Sequence, residues 1–143
     1  MKKLLNRLAA AGLILAVSIC PAAAVTWLGA NQATIAWEAV TTLSDGTPLP
    51  AGDALSYRVF TKMLPSAAEV VAGDTTQTQY TLTFSAEGRY VVGIQAIRVP
   101  AGTTSEQKSP ITWSDSTDVV AVPDPFGIEY FVSPSAIKGL TAE

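Results

Sequence analysis

Hydrophobic and polar residues alternate with a period of two along much of the chain, and no window shows a convincing helical repeat. The clearest case is "GRYVVGIQAIRV" (88–99), where Tyr90, Val92, Ile94 and Ala96 share one parity. Such alternation of β-branched and aromatic residues is typical of half-buried strands. The segments with this composition are "ATIAWEAV" (33–40), "LSYRVF" (55–60), "QYTLTF" (79–84), residues 88–99 and "TDVVAV" (117–122).

Turn-forming residues separate these segments. "LSDGTPLPAGD" (43–53) and "PAGTTSEQKSP" (100–110) predict two long polar loops, while "AGDTT" (72–76) and "SAEG" (85–88) predict tight turns. Short strands with turns between them predict an all-β sandwich or barrel. A parallel α/β fold is disfavoured because no helical pattern lies between the strands.

The first 24 residues have the composition of a secretory signal peptide. A basic head precedes an apolar run, and Ala22 and Ala24 supply the small residues that signal peptidase requires at positions −3 and −1. We therefore expect cleavage after Ala24, so that the mature chain begins at Val25 and is secreted or periplasmic.

Two alternatives to a cleaved leader remain open. A retained membrane anchor is disfavoured because the apolar run is shorter than the roughly 20 residues that span a bilayer. A lipid on Cys20 is disfavoured because Ile19 is bulky where a lipoprotein signal has a small residue.

Composition narrows the function classes for the mature chain. The leader holds three of the nine basic residues, so six basic and twelve acidic residues remain and the net charge becomes −6. An acidic surface argues against nucleic acid and anionic lipid as partners. Residues 25–143 contain no cysteine, so burial and backbone pairing must hold a single core together.

The ordered set of strand residues resembles a fibronectin type III domain. The resemblance rests on an Ile-x-Trp strand, then Tyr-Arg-Val, then Leu, then the segment 90–96, then Trp-Ser-Asp before a last strand. It implies an immunoglobulin-like sandwich of two antiparallel sheets over residues 25–122, followed by a C-terminal extension (123–143). The implied core residues are Ile35, Trp37, Tyr57, Val59, Leu82, Tyr90, Val92, Ile94 and Ala96.

The resemblance also assigns roles to single residues. Trp37 is expected at the centre of the core, and the Tyr90 hydroxyl is expected to bond to the loop around Ser85–Glu87. Gly93 lies on the outward parity, where it marks a bulge or the close approach of a covering segment. The first strand is short, "VTWLG" (25–29) at most, so a sheet edge is left partly open for the tail strand "IEYFV" or a partner chain.

The candidate chemistry is sparse. Without histidine or cysteine, the mature chain has no Ser-His-Asp site, no Cys-His site and no zinc site with those ligands. Most of its carboxylates lie in turns or at strand ends, where acids are usually solvated, so we expect neither a catalytic pair nor a calcium site. The predicted protein is therefore not an enzyme and needs no cofactor or metal.

Four residues are candidate contacts with a partner: Trp27, Trp113, Asp45 and Gly102. The first two are aromatic, and the other two lie in the long polar loops. The expected function is a secreted module that binds a protein or a surface glycan. Two alternatives remain: a structural subunit of an extracellular filament or tail-like assembly, with homo-assembly through strand addition, and a carbohydrate-binding accessory module.

Overall fold

The structure is a computed structural model, and it describes residues 24–136. The predicted leader, apart from Ala24, and the last seven residues of the predicted C-terminal extension lie outside the described residues. Within residues 24–136 the fold is all-β, with nine strands and no helix.

The strands form two sheets. Their bounds are β1 Thr26–Gly29, β2 Gln32–Ala36, β3 Ala54–Leu64, β4 Val70–Thr75, β5 Gln79–Thr83, β6 Gly88–Val99, β7 Gln107–Lys108, β8 Thr112–Trp113 and β9 Phe126–Tyr130. The large sheet has the order β1-β9-β6-β3-β4, and β7 and β8 also pair with β6. The small sheet is β2 paired antiparallel with β5. In the large sheet every pairing is antiparallel except β1 with β9, which is parallel.

The hydrophobic core lies between the two sheets, as in a β-sandwich. Strand β6 supplies Tyr90 and Val92 from its inner face, and β9 supplies Ile128, which is 0% exposed. Leu82 of β5 and the adjoining Phe84 cover them from the small sheet. The period-two pattern of residues 88–99 is therefore one face of a strand packed against a second sheet.

The outer face of β6 is buried as well. Val91 is 2% exposed, and Trp113 of β8 lies directly over Gly93. A Cβ on Gly93 would lie 2.7 Å from Ile111 and 2.9 Å from the Trp113 ring, so only glycine fits there. The covering segment expected above Gly93 is thus β8 with the residue before it.

The prediction of a strand at 117–122 is wrong. These residues form turns, because the Asp118 carboxylate accepts a hydrogen bond from the Val120 N–H at 3.0 Å and the Asp118 carbonyl accepts one from Val122. Such local bonds compete with sheet formation. Two of the strands that pair with β6, namely β8 and β9, precede and follow this segment along the chain.

The predicted turn at 72–76 is also wrong, since Val70–Thr75 is β4. Gly73 lies against the Tyr80 ring and hydroxyl, and a side chain at this position would collide with them. The Tyr80 hydroxyl donates a hydrogen bond to the Ala72 carbonyl oxygen at 3.0 Å. The glycine therefore serves a close contact and not a turn.

The end of β2 and the end of the sandwich both differ from the sequence prediction. β2 ends at Ala36, so residues 37–40 are not strand, although the Trp37 N–H still donates to the Thr78 carbonyl oxygen. β9 lies between β1 and β6 in the large sheet. The sandwich therefore continues to Tyr130, beyond the boundary predicted at Val122.

Removing the side chain of Ile128 tests the place of β9 in the core. Ile128→Ala is expected to lower the free energy of unfolding by about 2–5 kcal/mol, because it leaves a cavity between the sheets. Val120→Ala is the control: Val120 is 91% exposed, so a change within about 0.5 kcal/mol is expected. Urea denaturation of both variants measures the difference, and equal stabilities would place β9 outside the core.

Candidate functional site

The outer edge of β2 has no strand paired with it among residues 24–136. The ladder to β5 uses the backbone of alternate residues: Trp37 N–H bonds to Thr78, and Phe84 N–H bonds to Asn31. By this alternation Gln32, Thr34 and Ala36 direct their N–H and C=O groups away from β5. These three exposed residues present free donors and acceptors along one edge.

The edge is free because β1 turns away from it. β1 precedes β2 by only two residues, but it pairs with β9 of the large sheet and not with β2. The N–H of Thr26, the first residue of β1, donates a hydrogen bond to the Pro125 carbonyl oxygen at 2.9 Å. The four-residue β1 therefore supplies backbone partners for the edge of β9, and the edge of β2 is left exposed to solvent.

An apolar cleft of about 600 Å³ lies beside this edge. Its floor is the inner face of β6, with Val92, Ile94 and Ala96. Ile35 and Trp37 form the wall on the β2 side, and residues 120–124 with Phe126 form part of the opposite wall. The space between the two sheets is therefore incompletely filled where no strand lies along β2.

The family resemblance implied that Trp37 lies at the centre of the core, but Trp37 lies in the wall of this cleft. Its ring is partly buried and packs edge-to-face on Tyr57, with centroids 5.3 Å apart. Its indole N–H is buried without a hydrogen-bond partner among the described residues. An unpaired buried donor costs roughly 1–3 kcal/mol, so the indole is imperfectly accommodated in this wall.

The other predicted core residues differ in their burial. Tyr57, Val59, Leu82, Tyr90 and Val92 are buried, and of these Tyr57 and Val92 also line the cleft. Ile35, Ile94 and Ala96 line the cleft and are only partly buried.

The segment 115–125 forms a strap beside the cleft. Its base is closed by a hydrogen bond from the Phe126 N–H to the Ser114 carbonyl oxygen at 2.8 Å. Ser114 is itself anchored, because its hydroxyl accepts a hydrogen bond from the Val92 N–H at 3.0 Å. Val122 is buried, but Val119 and Val120 are 62% and 91% exposed, so the strap presents apolar side chains to solvent. The apolar run 117–122 is the sequence signal for this feature, although it suggested a strand.

The two long loops meet at one end of the sandwich through Asp53. Its carboxylate accepts hydrogen bonds from the Ala101 N–H at 2.9 Å and from Arg98 at 2.5 Å. These contacts lower the pKa of Asp53 below its ordinary value of 3.8, with the Ala101 N–H as the largest cause. The candidate contacts Asp45 and Gly102 lie in these loops; Asp45 accepts bonds from Thr47 that lower its pKa, and Gly102 has a φ of +74°.

The candidate contacts Trp27 and Trp113 are both engaged in packing on the outer face of the large sheet. Trp27 lies against Gly127, with the Arg89 guanidinium 5.0 Å from its ring centroid. Trp113 lies against Gly93, with the Lys62 ammonium 3.7 Å from its ring centroid. Each indole therefore packs against a glycine and lies within cation–π distance of a basic side chain.

Within residues 24–136 no group of three or more histidine, cysteine, aspartate or glutamate side chains is placed to hold a metal ion. The same range contains no helix that is both long and apolar enough to cross a membrane.

Comparison of the chain with protein-family models, with curated proteins and with solved structures found no match.

The hydrogen bonds of the Asp53 carboxylate predict that the stability of the folded protein depends on pH. Because the folded pKa lies below 3.8, the carboxylate stabilises the folded state above that pH, and the contribution is lost as the pH falls through the folded pKa. Asp53→Asn is therefore expected to be less stable than the parent at pH 7, with the difference shrinking below pH 3.8. Asp124→Asn is the control, since Asp124 makes no ion pair among the described residues. Thermal unfolding across this pH range measures both, and a constant difference would contradict the assignment.

Proposed function

We propose that this chain is an exported, non-enzymatic β-sandwich of the fibronectin type III kind that binds another protein. The observation that carries the proposal is the free edge of β2 lying directly beside an apolar cleft. An unpaired edge is a template for an added strand, and an adjacent cleft offers side-chain pockets. A surface of this kind suits a protein partner that binds in an extended conformation.

Export and the fibronectin type III assignment have separate support. The leader-like first 24 residues support export. The Tyr90 hydroxyl donates to the Ala86 carbonyl oxygen at 2.6 Å, within the loop where the family resemblance places this bond. The two-sheet all-β arrangement is consistent with the same family.

A structural subunit of an extracellular assembly is the second candidate. Large apolar side chains are exposed on the strap and after β9, where Phe131 and Val132 are 59% and 63% exposed. Exposed large apolar side chains are candidates for contact with another chain. If the partner is another copy of this protein, the same edge serves assembly.

A carbohydrate-binding role has less support. Stacking on a sugar needs an indole face that projects freely, but Trp27 and Trp113 lie on glycines and beside cations. The packing of both rings favours a protein partner over a glycan.

Site-specific photo-crosslinking in cells of the source organism tests protein binding. A photo-reactive amino acid replaces Thr34 on the β2 edge, the exposed Thr104 in the end loops or, as a control, Ser66 in the β3–β4 connection. The full chain is expressed with its own leader, and adducts are separated by mass. We expect a heavier adduct from position 34 and none from position 66.

The remaining outcomes distinguish the candidates. An adduct from position 104 alone supports a protein-binding module that acts through its loops. An adduct of twice the chain mass supports the structural subunit. The absence of any adduct from positions 34 and 104 would overturn the proposal of a protein partner.

A further inference from the structure

The charges around the cleft are one-sided. All five basic residues within 24–136 form ion pairs: Arg58 with Asp74, Lys62 with Glu69, Arg89 with Glu129, Arg98 with Asp53 and Lys108 with Glu106. Six carboxylates in the same range make no ion pair: Glu38, Asp45, Glu87, Asp115, Asp118 and Asp124.

Two of these six unpaired carboxylates, Glu38 and Asp124, line the cleft itself. Asp115 and Asp118 belong to the strap and line a neighbouring depression beside Ile111 and Trp113. No lysine or arginine is among the described residues that line the cleft. An apolar floor is therefore bordered by uncompensated negative charge, and a cationic occupant would relieve it.

The backbone specifies the shape of the occupant. The groups of Gln32, Thr34 and Ala36 can bond a chain that runs extended along β2 for about five residues, as in an ordinary ladder. Alternate side chains of such a strand would point into the cleft, toward Val92 and Ile94, and the others would point to solvent. The floor residues Val92, Ile94 and Ala96 are apolar, so the inward side chains should be apolar too.

We propose that the β2 edge and its cleft bind an extended segment of a partner protein that carries apolar residues at alternate positions and lysine or arginine at its ends. This inference rests on the proposed protein-binding function and names the chemistry of the partner. A second copy of the chain fits less well for two reasons. Its predicted net charge of −6 is repelled by the carboxylates that line the cleft. The basic side chains of its described part already form ion pairs.

Binding of a synthetic peptide tests this chemistry on the mature full chain (25–143). The probe is fluorescein-labelled KKTVTVTKK, and the matched control is EETVTVTEE, which keeps the apolar core and reverses the end charges. Fluorescence anisotropy is expected to show binding of the lysine peptide that is on the order of tenfold or more tighter and that weakens with added salt. Equal binding of the two peptides would overturn the charge assignment.

Two proline variants test the edge with a matched control. Thr34 and Thr81 face each other across the β2–β5 ladder, and their hydroxyl groups are 2.9 Å apart. Thr34→Pro and Thr81→Pro both lose this contact, and neither removes a ladder bond, since both N–H groups point away from the partner strand. Only Thr34→Pro removes a donor from the docking edge, so it should weaken peptide binding about tenfold while Thr81→Pro does not.

A second pair of variants tests the carboxylates. Glu38→Gln combined with Asp124→Asn should weaken binding of the lysine peptide severalfold and reduce its salt dependence. Glu87→Gln is the control, because this carboxylate lies before β6, away from the cleft, and an amide oxygen can still accept the bond from Val132 N–H. Circular dichroism checks that each variant is folded.

The results separate this inference from the proposed function. If Thr34→Pro binds as the parent does, the edge is not the docking site. If neither peptide binds but position 34 still gives crosslinks in cells, the protein-binding function stands and the basic-segment chemistry is wrong. Self-association that Thr34→Pro abolishes, measured by sedimentation, would identify a second copy as the occupant and overturn the proposal.

Discussion

The burial of both faces of β6 is the constraint on which the rest of the structure depends. Val92 on the inner face is 1% exposed and Val91 on the outer face is 2% exposed. The inner face needs a second sheet, which β2 and β5 supply, and the outer face needs a segment that folds back over it. Trp113 provides that cover by lying on Gly93, where any side chain would collide with it. The burial of both faces of β6 therefore requires a second sheet on one face and an additional covering segment on the other.

The free edge follows from how the last part of the chain meets this strand. β8 and β9, which precede and follow the strap along the chain, both pair with β6. The other edge of β9 pairs with β1. Because β1 is short and lies in the large sheet, β2 has a neighbour on one side only. Water can satisfy these exposed backbone groups, so the edge costs little when it is empty. The proposed binding surface is therefore a consequence of strand pairing.

How much could be predicted from the sequence depended on whether the signal was local. Residues 88–99 could be predicted as β6 because period-two alternation continues over the whole strand. The turn at Asp118 overrides the strand-like residues after it, since its side-chain and backbone oxygens bond the following N–H groups. Gly73 suggested a turn, but it serves a contact with Tyr80 that no local pattern reveals. The cleft depends on the pairing of β1 with β9, about a hundred residues apart, so it could not be read from the pattern.

Amide hydrogen exchange measured by NMR on residues 25–143 without a partner tests the central claim most directly. The claim is that β2 is paired on one side only, so its N–H groups should alternate in protection. We expect slow exchange at Ala33, Ile35 and Trp37 and fast exchange at Thr34 and Ala36. Slow exchange at all five positions would show that another segment already covers the edge, and fast exchange at all five would show that the small sheet does not form.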